Sequence, residues 1–123
     1  MSSRARAAVA LTAAGALAAA GVATQAGAAS TQVRRLSASK TALKFSTTRI
    51  TARPGRVQLV MGNPSSFPHA IAVEGRGLDR DGRTVGKGGT SRVTATLKRG
   101  TYTFYCPVDG HRQAGMRGRL VVR

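Results

Sequence analysis

Hydrophobic and polar residues alternate along several short stretches of this 123-residue chain. A period of two places alternate side chains on one face of a β-strand, so these stretches predict half-buried strands rather than helices. Their apolar positions are Leu43 and Phe45 (a strand near 41–50), Val57, Leu59 and Met61, Val93, Ala95 and Leu97, and Leu120 and Val122. Met61 is expected to pack in the core.

Two further alternating stretches align a reactive side chain with apolar ones. They are Tyr102, Phe104 and Cys106, and His69, Ile71 and Val73. Residues two positions apart lie on the same face of a strand. The Cys106 thiol and the His69 imidazole are therefore both expected to point inward, with their apolar neighbours. Taken alone, each residue also fits a simpler interpretation, a buried inert Cys or a core His with its hydrogen bonds satisfied.

Glycine and proline separate these strands, and no segment after residue 28 has helical periodicity. Many short strands with such punctuation predict an antiparallel β-sandwich. Gly75–Gly89 combines many glycines with charged residues and is predicted to be a surface loop. It lacks the strand-to-helix context of a phosphate-binding glycine loop.

The first residues differ in composition from the rest of the chain. Arg4 and Arg6 precede an apolar, alanine-rich stretch, and Ala26-Gly27-Ala28 has the A-x-A form of a cleavage site, which together predict a signal peptide over 1–28. An uncleaved membrane anchor is the alternative. Residues 29–39 are assigned to a linker or a first edge strand and 40–123 to the folded domain. We expect an exported bacterial protein that is periplasmic, extracellular or associated with the cell envelope.

The chain is strongly basic, with 20 Lys and Arg against 4 Asp and Glu and a net charge of +16. Loss of Arg4 and Arg6 with the leader would leave 18 basic residues against 4 acidic ones, a charge of +14. Such a surface attracts an acidic redox partner, an acidic cell-wall polymer or anionic lipid headgroups. A solvated basic surface without a dedicated partner is the simpler alternative. Export and the lack of a nucleic-acid module argue against nucleic acid, and we expect a monomer.

The strongest chemical signal is the segment 105–116, in which Cys106, His111 and Met116 are separated by four residues each time. Thiolate, imidazole and a weakly bound thioether together suit copper in both of its oxidation states, and His69 supplies a second imidazole. Gly110 and Gly115 precede His111 and Met116, where they allow the loop to turn its ligands toward one centre. The pattern indicates a mononuclear blue-copper site.

This loop, with Asn63-Pro64 and Pro68-His69 upstream, resembles the small blue copper proteins, or cupredoxins, of the plastocyanin, azurin and sulfocyanin type. The resemblance covers about 40–123 and implies a Greek-key β-sandwich or barrel. It also implies that His69, Cys106 and His111 are the equatorial copper ligands and that Met116 is the axial one. The chain departs from the family at Ala70, where many members have an Asn that ties the two ligand loops together.

The resemblance implies electron transfer between redox partners by Cu(II)/Cu(I) cycling, with entry through His111. Copper storage or delivery is the alternative function, and a metal-free cationic module is a third. An enzyme is disfavoured, because the superfamily's copper enzymes have a His beside the ligand Cys where this chain has Pro107. A binuclear copper-A site would need two thiolates, whereas this chain has one Cys. The apolar residues expected around His111 are Phe67, Pro68, Pro107, Val108, Ala114 and Gly115.

Overall fold

Backbone pairing forms eight strands in the computed structural model, which describes residues 30–123. They are β1 (Gln32–Ser37), β2 (Arg49–Ala52), β3 (Gly55–Gly62), β4 (Ala72–Gly75), β5 (Leu78–Asp81), β6 (Thr90–Leu97), β7 (Gly100–Tyr105) and β8 (Arg117–Val122). None of residues 30–123 is helical, so the predicted all-β class is confirmed. The leader predicted over 1–28 lies outside the described residues.

The strands form two sheets, one with the order β1-β3-β6 and one with the order β2-β8-β7-β4-β5. β1 pairs with β3 and β2 with β8 in parallel, whereas the other neighbours are antiparallel. β1 lies at the edge of the smaller sheet and within residues 29–39, for which the sequence predicted either a linker or a first edge strand.

The inward faces of the two sheets meet in one apolar core. Leu59 and Met61 come from β3, Phe104 from β7 and Leu120 from β8, and all are at most 1% exposed. Phe45 packs on Phe104 with its ring centroid 5.6 Å away. Full burial of a side chain of this size stabilises the fold by about 1.5–3 kcal/mol, so these positions supply much of the energy that holds the sandwich together.

The strand predicted near 41–50 is wrong. Phe45 makes only an isolated bridge with Ala38, and β2 begins at Arg49. The Ser39 hydroxyl accepts hydrogen bonds from the backbone N–H groups of Thr41 and Ala42, at 3.3 and 3.2 Å. Short hydroxyl side chains of this kind compete with a strand ladder for backbone groups, so the segment turns although its apolar residues alternate.

The loop predicted over Gly75–Gly89 is wrong in part. Arg76 and Gly77 form a tight turn, after which β5 pairs antiparallel with β4. β5 is a charged edge strand whose side chains are mostly exposed, so it has no apolar alternation to detect.

The half-buried strand expected from His69 onward also differs from the structure. β4 begins only at Ala72, and His69 forms an isolated bridge with Val85. Residues 69–73 are all at most 2% exposed, because both sides of this segment are covered.

Candidate metal centre

The loop 106–116 connects β7 to β8 and is closed at its base by the backbone. The N–H of Cys106 donates to the carbonyl of Met116 at 3.0 Å, and the N–H of Met116 donates to the carbonyl of His111 at 3.1 Å. Gly110 and Gly115 have φ angles of 77° and 114°, a region that other residues rarely adopt. The two turns predicted from these glycines are therefore present and bring His111 back over Cys106.

Three donor atoms from two distant segments converge at this end of the sandwich. His69 Nδ1 lies 3.2 Å from His111 Nδ1, and Cys106 Sγ lies 3.9 and 3.6 Å from these two nitrogens. The point in their plane that is equidistant from all three is about 2.1 Å from each, the circumradius of this triangle, and bonds from zinc, a metal of similar size, to imidazole and thiolate are about 2.0–2.3 Å. The triangle therefore fits one metal ion in a trigonal plane.

The environment of the imidazoles suits metal binding. His69 is fully buried, and its Nε2 has no hydrogen-bond partner within residues 30–123, so the polar contacts of this ring are on its Nδ1 side. Burial lowers the pKa of His69, and the neighbouring His111 lowers this pKa further. A neutral imidazole is the form that binds a metal ion, so the structure favours the required protonation state.

Met116, the predicted fourth ligand, is fully buried and belongs to the same core cluster as Cys106. Its backbone closes the ligand loop, as described above. A thiolate and two imidazoles, completed by the Met116 thioether that the family resemblance implies, make up the donor set that is typical of blue-copper electron-transfer sites.

One backbone N–H group also contacts the Cys106 sulfur. The N–H of Ala70 points at Cys106 Sγ at 3.5 Å, so the residue after His69 contacts the other ligand loop through its main chain. Hydrogen bonds to the sulfur tune the redox potential of such sites.

Asn63 holds the loop that leads to His69, a role that sequence reasoning missed. It is 2% exposed, and its Nδ2 donates to the carbonyls of Phe67 and Val85 at 2.8 and 2.9 Å, while its Oδ1 accepts from the N–H of Ser65 at 2.9 Å. Val85 is the bridge partner of His69. The only signal in the sequence was the Asn63-Pro64 pair that contributes to the family resemblance.

A second contact missed from the sequence anchors the loop from outside. Arg112, next to His111, forms an ion pair with Glu74 and lies over the ring of Tyr105, with its guanidinium carbon 4.2 Å from the centroid. The Tyr105 hydroxyl donates to Asp79 at 2.7 Å. Burial, followed by this hydrogen bond and the surrounding carboxylates, raises the pKa of Tyr105. The hydrogen bond to Glu74 is the largest influence on Arg112 and raises its pKa.

An all-β sandwich with such a donor set at the end of its strands defines a class of protein, the small copper-binding electron carriers. The chain belongs to the plastocyanin/azurin family of copper-binding proteins, whose family model matches residues 32–123. Its cofactor is therefore copper. Members of this family carry electrons and are not enzymes, which confirms that part of the prediction.

Comparison with solved structures confirms the cupredoxin fold. Auracyanin B has 22% identity and a TM-score of 0.67, with 75% of this chain and 88% of that chain covered. The auracyanin of Roseiflexus castenholzii has 21% identity and a TM-score of 0.66 over 79% and 99%. Auracyanin A, a "blue" copper protein of Chloroflexus aurantiacus, has 20% identity and a TM-score of 0.67 over 76% and 100%. No curated protein matches the sequence.

Proposed function

We propose that this protein is exported and shuttles single electrons between redox partners, with copper held by His69, Cys106, His111 and Met116. The observation that carries the proposal is the triangle of two Nδ1 atoms and one Sγ, whose geometry fits a single ion. Bound copper would supply the one-electron couple, and Met116 would be the weakly bound fourth residue that the family implies.

Rigid support of these side chains favours electron transfer over copper storage or delivery. An electron carrier needs donor positions that change little between the two oxidation states. Cys106 and His69 are fully buried, and backbone and side-chain hydrogen bonds hold both ligand loops. A delivery protein would instead release its metal readily, which requires an accessible or easily opened site.

His111 is the proposed point of electron entry and exit. It is partly exposed, whereas His69 and Cys106 are fully buried, and Phe67, two residues before His69 in the chain, is 55% exposed. Phe67 is one of only two large apolar side chains with such exposure among residues 30–123, so a docking partner would bury it. Ala114→Asp at this rim should slow electron exchange with a partner while leaving the visible spectrum unchanged. Unchanged exchange rates would argue against docking here.

The cellular setting is also part of the proposal. Removal of residues 1–28 on export would leave the domain with an excess of basic side chains, suited to an acidic redox partner or an anionic envelope surface. We expect the carrier to act as a monomer. Within residues 30–123 no helix is both long and apolar enough to cross a bilayer.

A visible absorption spectrum of the protein reconstituted with Cu(II) tests the copper assignment. An intense thiolate-to-copper band that bleaches reversibly on reduction is expected, and Cys106→Ser should abolish it. Met116→Leu should keep the band but shift its energy and the redox potential, because only the axial ligand is lost. A colourless protein that yields its copper rapidly to a chelator would contradict electron transfer and support metal delivery.

A further inference from the structure

The outer face of the five-stranded sheet is divided by charge. One cross-strand row runs Arg49, Arg119, Thr103, Glu74, Asp79, from β2 through β8, β7 and β4 to β5. Cross-strand partners share a face, so the positive end of this row lies at β2 and β8 and its negative end at β4 and β5.

The neighbouring row repeats the division. Arg117 on β8 is paired with Tyr105, which is paired with Ala72, and Ala72 is paired with Asp81 on β5. Arg49, Arg117 and Arg119 form what we call the arginine cluster, and Glu74, Asp79 and Asp81 form the acidic edge. The acidic edge contains three of the four acidic residues in the chain.

The two halves are largely separated at physiological salt. Their nearest members, Arg119 on β8 and Glu74 on β4, are two strand spacings apart, or about 10 Å, which is comparable with the screening length of about 8–10 Å, and Glu74 already has an ion-pair partner in Arg112. The outer strands β2 and β5 are four spacings apart, or about 19 Å. The arginine cluster therefore keeps a positive field of its own, and an anion that approaches β2 and β8 meets a net attraction.

The arginine cluster has no internal partner. Arg49 and Arg119 are directly opposite each other, and Arg117 lies on the same face two residues before Arg119. All three are exposed, and the one ion pair found within residues 30–123 involves other residues. Like charges placed directly opposite one another destabilise a sheet, so an external anion would relieve a repulsion that the fold leaves in place.

We propose that the arginine cluster docks this protein onto the surface of an anionic phospholipid bilayer. The inference deepens the anionic-surface partner of the proposed function, and it rests on that function for the location at the cell envelope. The cluster lies on a flat sheet face, and the large exposed apolar side chains of residues 30–123, Val33 and Phe67, are not on this sheet. A protein partner would need such anchors, whereas lipid phosphates need only accessible cations.

Docking of this kind also sets an orientation. The acidic edge is repelled by the same lipid surface, so the sheet approaches it through β2 and β8. The copper loop 106–116 connects the ends of β7 and β8 and is not part of the sheet face. The rim around His111 therefore stays open to a redox partner while the protein moves along the membrane.

Vesicle sedimentation with the full chain tests the proposal. The anionic vesicles contain phosphatidylcholine and phosphatidylglycerol. Binding to vesicles of pure phosphatidylcholine is measured beside them and gives any apolar contribution of residues 1–28. The double variant Arg117→Gln/Arg119→Gln should weaken binding to the anionic vesicles about 25-fold. The matched control is Arg56→Gln/Arg92→Gln, which removes the same charge from exposed positions on the other sheet and should weaken binding only a few-fold.

The outcomes separate the possibilities. Binding that falls with salt and depends on Arg117 and Arg119 supports the proposal. Equal losses in both double variants would overturn it in favour of diffuse charge. A salt-sensitive dimer that forms without lipid would overturn it in favour of self-association between the cluster and the acidic edge of a second copy. The copper spectrum is recorded in parallel. A colourless protein would refute the proposed electron transfer, whereas the binding to vesicles is judged separately from the sedimentation data.

Discussion

Replacing Asn63 with Ala tests the structural support of His69. The change removes three hydrogen bonds from a side chain that is 2% exposed. Two of the groups left behind keep a second partner, because the Val85 carbonyl also accepts from the His69 N–H at 3.1 Å and the Phe67 carbonyl from the Ser65 hydroxyl at 3.3 Å. The N–H of Ser65, a residue only 2% exposed, loses its one hydrogen-bond acceptor.

The expected loss follows from this inventory. A hydrogen bond contributes about 1 kcal/mol net, and a buried donor left unsatisfied costs about 1–3 kcal/mol, so Asn63→Ala should lower the free energy of unfolding by about 2–4 kcal/mol. That is a large share of the about 5–15 kcal/mol of a typical domain. The variant should also alter the copper spectrum, since the side chain of residue 63 would no longer connect the segment before His69 to Val85 through hydrogen bonds.

Urea unfolding of the copper-free protein, followed by circular dichroism, measures this loss without a contribution from metal binding. Gln58→Ala is the matched control, because it removes one side-chain hydrogen bond, to Thr94 at 3.2 Å, on the outer face of the three-stranded sheet and away from the ligand loops. It should cost less than about 1 kcal/mol. A loss of similar size in both variants, or an unaltered copper spectrum in Asn63→Ala, would refute the role of Asn63 as a tie between loops.

Three further predictions concern the outer support of the loop and the core. Arg112→Gln should lower the free energy of unfolding by only about 1 kcal/mol, since the side chains of its ion pair with Glu74 are about one-third exposed. It should nevertheless speed the release of copper to a chelator, because the ligand loop loses its outer anchor. An unchanged release rate would mean that the ion pair does not hold the loop. Tyr105→Phe should cost about 1 kcal/mol through loss of the bond to Asp79. Because the folded state raises the Tyr105 pKa, this difference should be present below about pH 10 and should shrink at higher pH; urea unfolding across that range would show a constant gap if the reasoning is wrong. Gly118→Ala would place a Cβ in steric overlap with the edge of the Phe104 ring and 2.7 Å from the Thr48 carbonyl oxygen. It should lower the free energy of unfolding in urea by about 1–3 kcal/mol, and a neutral result would contradict the packing.

Most of the core strands could be predicted from the sequence. β6 and β8 have one face in the core and one in solvent, so burial imposes a period of two on their residues, and in β3 the core residues Val57, Leu59 and Met61 follow the same period. The loop 106–116 could be predicted equally well, because its donor residues and its two turn glycines lie within one short segment. The short spacing along the chain keeps these side chains close together, and the glycine turns direct them toward one centre.

Other elements could not be predicted, because their determinants are distant in the chain or not hydrophobic. β5 is a charged edge strand without alternation, and the segment before β2 alternates although hydroxyl side chains turn its backbone. The contact between Arg112 and Glu74 joins residues 38 positions apart, for which no local pattern exists.

The sequence by itself determined the chemistry of the site, since one Cys, two His and a loop Met leave few metals and few reactions. Only the tertiary structure decided how the site is held. The sheets bring His69 to Cys106, 37 positions away, and the packing places Asn63 behind one loop and Arg112 beside the other. The register of β2, β8, β7, β4 and β5 likewise sorts charges that are scattered along the chain into two halves of one face. Residue types are local properties, whereas a shared centre or a shared face depends on strand pairing across the whole fold.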